Sequence, residues 1–400
     1  MKTQSLYSVF TAVIIILVAA CTPKNNTSLA RVNTILDSLT TEFAPDKRVA
    51  LFDIKALQDK NNAIILLGDS NLPEAIDGLR AAINNSNLVV LDSTRLLPES
   101  ALEGNVQGVV RISVANLRGA PKHSAELVTQ VILGTPVRVL KKQDSWYYVQ
   151  SPEGYLAWVD SAGITAMNTR DYDTWAATKK LIFTATYGHA FAEPAGAGSR
   201  VSDLVAGNIL SLVAQNKTDY EVAFPDGRTG FIAIENAMPY QAWLKTLDQS
   251  GASLKATAET LLGVPYLWGG TSTKGVDCSG FTKTVYLLNG MVIPRDASQQ
   301  IHTGMLIDND RTFDNMEVGD LLFFGKPATP TTKERVIHVG MWIGNNEFIH
   351  SAGEVHISSV DENAANFDDY NYNRYLRTKR ILKQPHDRLL NLLETPMFND

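Results

Sequence analysis

The chain has few cysteines: 400 residues contain two, Cys21 and Cys278. A disulfide framework is excluded, and so are zinc sites built on Cys-x-x-Cys pairs; the His-Glu-x-x-His spacing is missing as well. No cofactor and no metal is implied. There is no run of lysines and arginines, and the formal charge is −6, which argues against a nucleic-acid partner. No apolar run is long enough to span a bilayer comfortably, which takes roughly 20 residues. The most pronounced one, TAVIIILVAA, ends at Ala20, directly before Cys21. Low-complexity segments are absent too. What is left is the composition of a folded protein, 44% apolar and 20% charged, and too long for one ordinary domain.

The first residues have the layout of an export signal, with Lys2 in a short polar stretch, then the apolar run, then small residues. LVAAC followed by the polar TPKNNTS resembles a bacterial lipoprotein signal. The resemblance implies that residues 1–20 are removed and that Cys21 is lipidated. The chain is then exported and anchored to a bacterial membrane, in the periplasm or cell envelope. An uncleaved N-terminal anchor would export it equally. A lipidated Cys21 leaves Cys278 without a disulfide partner, and an unpaired cysteine in an exported protein marks a reactive thiol.

Residues 21–45 read as a polar tether running into a helix start. Residues 46–107 alternate strand and helix patterns (RVALFDIKAL, NAIILLG, LPEAIDGLRAAINN, LVVLDST) and form a small α/β unit in which no chemistry is evident. Beyond it lies an internal repeat. A shift of 73 residues places Pro121 on Pro194, Gly134 on Gly207, Tyr147 on Tyr220, and Pro152-Glu153-Gly154 on Pro225-Asp226-Gly227. Each copy has short alternating strands and turn signals, which predicts two small all-β barrels over 108–168 and 175–240. The run LRGAP…LGTPVRVL…WYYVQSPEGYLAWV resembles bacterial Src-homology-3-like domains of cell-wall enzymes, and the second copy is the more divergent. A further domain spans 250–383, beginning with a helix in SLKATAETLLG for which Ser253 is the expected N-cap. The tail, 384–400, is expected to add one short helix.

Cys278 lies in GVDCSGF. Asp277 is an expected N-cap, and Phe281, Val285 and Leu288 share one helical face, so the thiol sits in a first helical turn. There the helix dipole favours thiolate. The plain alternative is a small packing residue. His338 and His350 each interrupt an apolar strand, and Gly344-Asn345-Asn346 between them signals a hairpin that would bring the two imidazoles together. A thiol, a base and a group that orients the base make a nucleophilic triad. His123, His189, His302, His356 and His386 read as surface residues.

VPYLWGG, GVDCSGF, VIPRDASQ, VGDLLFFG, IHVGMWIG and FIHSAG, in this order, resemble the NlpC-type cysteine peptidases, papain-like enzymes of bacterial cell-wall peptide turnover. The resemblance covers residues 253 to about 383. It implies an α+β multidomain chain in which a papain-like catalytic domain comes after the two barrels and the N-terminal unit. It implies Cys278 as nucleophile, His338 as base, His350 as orienting residue, and Tyr266 as an oxyanion ligand beside the Cys278 N–H. With two Src-homology-3-like domains in front, the chain is most similar to the subgroup that cleaves the γ-D-glutamyl-diamino acid bond of murein peptides with a free N-terminal L-Ala. In that subgroup the barrels wall off one end of the cleft. Carried over, Asp296 would pair with the substrate ammonium, and Asp277, Ser279 and Trp268 would line the site. Ala297 stands where relatives often have Ser. Glu126 and an aromatic of YLAW, Tyr155 or Trp158, are candidates to complete the amine pocket, although Trp158 reads equally as a barrel-core residue. Two other functions stay open: a peptidoglycan-binding lipoprotein with a vestigial catalytic domain, and an amidase or acyltransferase on the same scaffold.

Overall fold

The computed structural model describes residues 27–384 and 388–399; Cys21 and His386 lie outside them. A helix over Thr27–Phe43 packs on a three-stranded sheet. Phe52–Gln58 and Ile64–Ser70 run antiparallel, and the helix Pro73–Asn85 carries the chain over to the parallel strand Val90–Leu96. Both helices are amphipathic. Val32, Leu36 and Leu39 of one meet Ile76 and Leu79 of the other over Ile54 and Leu66, so this unit has a core of its own. It is also tied to the neighbouring sheet: Asp69 accepts from Arg95 within the unit and, at 2.6 Å, from Lys141 of that sheet.

Two seven-stranded sheets come next, and the 73-residue shift holds strand by strand. Val114–Arg118, Leu127–Ile132, Trp146–Gln150 and Leu156–Asp160 move onto Tyr187–Phe191, Arg200–Val205, Asp219–Ala223 and Thr229–Ala233. Numbered within each copy, the sheet order is 7-1-4-5-6-2-3 in both. The turns explain the persistence. Gly154 and Gly227 both have φ near 86°, a left-handed conformation that a side chain resists, so the P-x-G turns keep their glycine while the strands diverge.

The last unit has a six-stranded antiparallel sheet with Leu321–Lys326 and Arg335–Gly344 at its centre. The helix Cys278–Leu288 lies against it and buries Phe281, Val285 and Tyr286 on Phe323, Val339 and Met341. The preceding helix spans Gly251–Glu259 and is capped by Ser250, whose Oγ accepts from the Ser253 N–H at 3.1 Å. Ser253, the cap expected from sequence, is thus the residue being capped. The tail also departs from expectation. Leu390–Asn391 forms a strand paired with Met291–Val292, and Phe398 is buried against Tyr240 and Trp175. Anchored aromatics hold it extended.

Candidate active site

Asp277 caps the helix that starts at Cys278, its Oδ1 accepting from the Gly280 N–H at 2.7 Å. The carboxylate is saturated further by the Gly269 N–H at 2.9 Å and by both terminal nitrogens of Arg295, at 2.6 and 3.1 Å. Arg295 is 1% exposed and reaches on to Ser279 Oγ and to Thr129 Oγ1 of the first seven-stranded sheet. A buried charge needs such a complete set of partners. Asp277 and Ser279 line the cleft, but their polar groups are spent on holding the helix start to Arg295.

Cys278 is buried as the first residue of that helix, so its N–H has no acceptor within the helix. Burial pushes the thiol up to about 12, with Asp277 adding in the same direction. The Val339 N–H also reaches the sulfur, which places it beside the strand that carries His338.

The hairpin between Arg335–Gly344 and Glu347–Ala352 turns through Asn345 and Asn346, both at positive φ. It brings His338 Nε2 to 2.7 Å from His350 Nδ1, and His350 Nε2 lies 3.0 Å from Ser358 Oγ. In the tautomer set that a base requires, His338 Nε2–H donates to His350, whose Nε2–H donates to Ser358, and His338 Nδ1 is left to take a proton; the reverse set satisfies the same contacts. Burial, reinforced by His350, holds His338 well below its ordinary range, and burial lowers His350 to about 3. His356, read from sequence as a surface residue, is half-buried. It sits opposite His350 on the next strand, with ring centroids 4.4 Å apart.

The cleft, about 350 Å³, is lined by Cys278, Tyr266, Trp268 and Asp296 from the last unit, and by Glu126, Val128 and Tyr155 from the first sheet. Burial and the neighbouring Cys278 raise the Tyr266 hydroxyl to about 12, so it stays a donor. Trp268 is 62% exposed, and its indole N–H donates to Glu126 Oε1 at 2.9 Å. The loop can approach the sheet this closely because of Gly269, at φ +78°, where a Cβ would stand 2.3 Å from the Leu127 carbonyl. Of the two YLAW aromatics, Tyr155 faces the cleft and donates to Asp296 Oδ2 at 3.2 Å. Trp158 does not line it; it is buried 5.0 Å from the Tyr148 ring, on the face of the strand opposite the core residues Ala157 and Val159, so it is not a barrel-core residue either.

Sequence reasoning missed three residues here, Arg48, Arg295 and Ser358. Arg48 comes from the N-terminal unit, and its Nη1 donates to Asp296 Oδ2 at 2.7 Å. The expected wall of two barrels is therefore corrected: the first sheet and the N-terminal unit reach the cleft, and the second sheet does not. Among the described residues, no group of three or more His, Cys, Asp and Glu converges as metal ligands do.

The sequence model of the NlpC/P60 family matches residues 263–373, and that of the bacterial dipeptidyl-peptidase Sh3 domain matches residues 117–164. The chain is 30% identical over 270 residues to dipeptidyl-peptidase 6 of Lysinibacillus sphaericus, covering 64% of this chain and 93% of that one. It is 29% identical over 234 residues to the gamma-D-glutamyl-L-lysine dipeptidyl-peptidase of Bacillus cereus, covering 56% and 67%. Among solved structures, an NlpC/P60 family protein from Bacillus cereus aligns with a TM-score of 0.58 at 23% identity, over 69% of this chain and 99% of its own. That likeness is one of fold.

Proposed function

Because the chain belongs to the NlpC/P60 family, we propose that it is a cysteine peptidase of cell-wall peptides. It hydrolyses the γ-D-glutamyl-diamino acid bond of murein peptides whose N-terminal L-Ala is free. One observation carries the reading. The cleft that Cys278 lines also presents two carboxylates, Glu126 and Asp296. Two carboxylates beside the nucleophile suit a terminal ammonium.

The row of imidazoles supplies the chemistry. His338 Nδ1 takes the Cys278 proton as sulfur attacks the γ-glutamyl carbonyl carbon. The oxyanion forms against the Cys278 N–H and the Tyr266 hydroxyl. The imidazolium returns its proton to the leaving amine as the C–N bond breaks. Water then attacks the thioester, again losing a proton to His338, and the thiol is restored. His350 and Ser358 hold the His338 ring so that Nδ1 exchanges the proton with the sulfur and the leaving amine.

Cys278→Ala is expected to lower turnover of L-Ala-γ-D-Glu-diaminopimelate by at least about 10³-fold with an unchanged melting temperature. A variant that kept the wild-type rate would end the assignment. Export and lipidation of Cys21 belong to the same reading and rest on LVAAC. Cys21→Ser is expected to move the protein from the membrane fraction to the soluble one; equal partitioning of both forms would count against an acyl anchor.

A further inference from the structure

We propose that Arg48, carried by the N-terminal unit, is a specificity-determining residue that bars the amine end of the cleft. The inference rests on the function proposed above and assigns part of it to a unit outside both matched domains. A second groove, about 450 Å³, runs between the N-terminal unit and the first sheet. It shares Arg48, Val128 and Tyr155 with the cleft, so Arg48 stands where the two spaces meet.

Arg48 is held in place on every side. Its Nε and Nη2 fork onto Asp46 at 2.8 Å each, and Nη1 donates to Asp296 Oδ2 at 2.7 Å and Ser298 Oγ at 2.9 Å. Gln299 clasps Asp46 from the catalytic side at 2.8 Å, and the Arg48 carbonyl accepts from the Leu156 N–H at 2.7 Å, next to Tyr155. Burial would raise Asp46, but its bonds to Arg48 and Gln299 hold it down to about 2. The side chain is therefore fixed before any substrate arrives, and closing this end costs no ordering on binding.

Charge and hydrogen-bond chemistry then set the selection. One guanidinium serves two carboxylates, Asp46 and Asp296, and leaves one negative charge over for an ammonium. An N-acylated peptide offers only an amide N–H at that point. It brings no charge to Asp296, and its acyl group would have to pass through Arg48. Without the guanidinium, the cleft opens onto the second groove, whose walls Ala50, Phe52, Tyr148 and Leu156 suit an acyl group.

The test compares kcat/KM for L-Ala-γ-D-Glu-diaminopimelate and its N-acetyl derivative in wild type, Arg48→Ala and Asp46→Asn. Wild type should favour the free amine. Arg48→Ala should shrink that preference by at least about tenfold, through a gain on the acetylated peptide. Asp46→Asn keeps the guanidinium but releases its fork, so it should shift the ratio in the same direction by less. It carries the test if the alanine variant loses both activities. A wild type without preference would overturn the free-amine reading itself. A selective wild type whose preference survives both substitutions would overturn only the role of Arg48.

Discussion

The two seven-stranded sheets have one topology and opposite parts in the molecule. At matched positions the first has Glu126, Thr129, Gln130 and Tyr155, where the second has Ser199, Ser202, Asp203 and Arg228. Glu126 and Tyr155 reach the cleft; Thr129 binds the buried Arg295, and Gln130 accepts from the Thr271 N–H at 3.0 Å. In the second sheet Arg228 turns the other way and donates to the Arg111 carbonyl at 2.7 Å, fastening one sheet to the other. A duplicated fold keeps its turns and its strand order; what it does is decided by a few side chains at its rim.

The difference extends to how each sheet is fastened to the catalytic unit. Lys283, on the helix of Cys278, approaches Glu153 of the first sheet to 3.2 Å with the two side chains 9% and 2% exposed. Glu153 Oε1 has no well-aimed hydrogen bond there, so the contact is one of charge. Lys274 pairs with Asp203 of the second sheet, and those side chains are 37% and 33% exposed. Lys283→Met leaves a carboxylate buried without its cation and should destabilise the protein by about 3–5 kcal/mol. Lys274→Met should cost no more than about 1 kcal/mol, less in salt. Denaturant melts of the two variants measure this; equal losses would erase the distinction between a sheet built into the site and one that leans on it.

Much of the arrangement was legible in the sequence because it is local or repeated. The glycines of the P-x-G turns must take positive φ, so they survive divergence and reveal the 73-residue period. Asp277 before Cys278 spells a helix start, and a hairpin turn between two strand histidines predicts that they meet, as they do at 2.7 Å. Arg48 could not be found this way, because it meets Asp296 from 248 residues away. An arginine in a loop reads as surface unless its partners are known. Arg295 was hidden for the same reason: its burial depends on Thr129, 166 residues distant. The helix start at Cys278 is visible in sequence, while the burial of its thiol is not.

The sharpest test of the two sheets is at Glu126 and Ser199, which differ by a carboxylate at one position of a shared fold. Glu126→Gln keeps an oxygen to accept the Trp268 indole N–H, so the loop stays on the sheet and only the charge is lost. A hydrogen bond to a charged group contributes about 1.5–3 kcal/mol. Removing that charge should then lower kcat/KM for the free-amine peptide by about 10- to 150-fold, mostly through KM. The N-acetyl derivative has no ammonium to lose, and its rate should stay within about twofold. Ser199→Ala should leave both substrates within about twofold, since that rim faces away from the cleft. If Glu126→Gln slowed the two peptides equally, the residue would be holding the loop rather than reading the amine, and the contrast between the sheets would be one of packing alone.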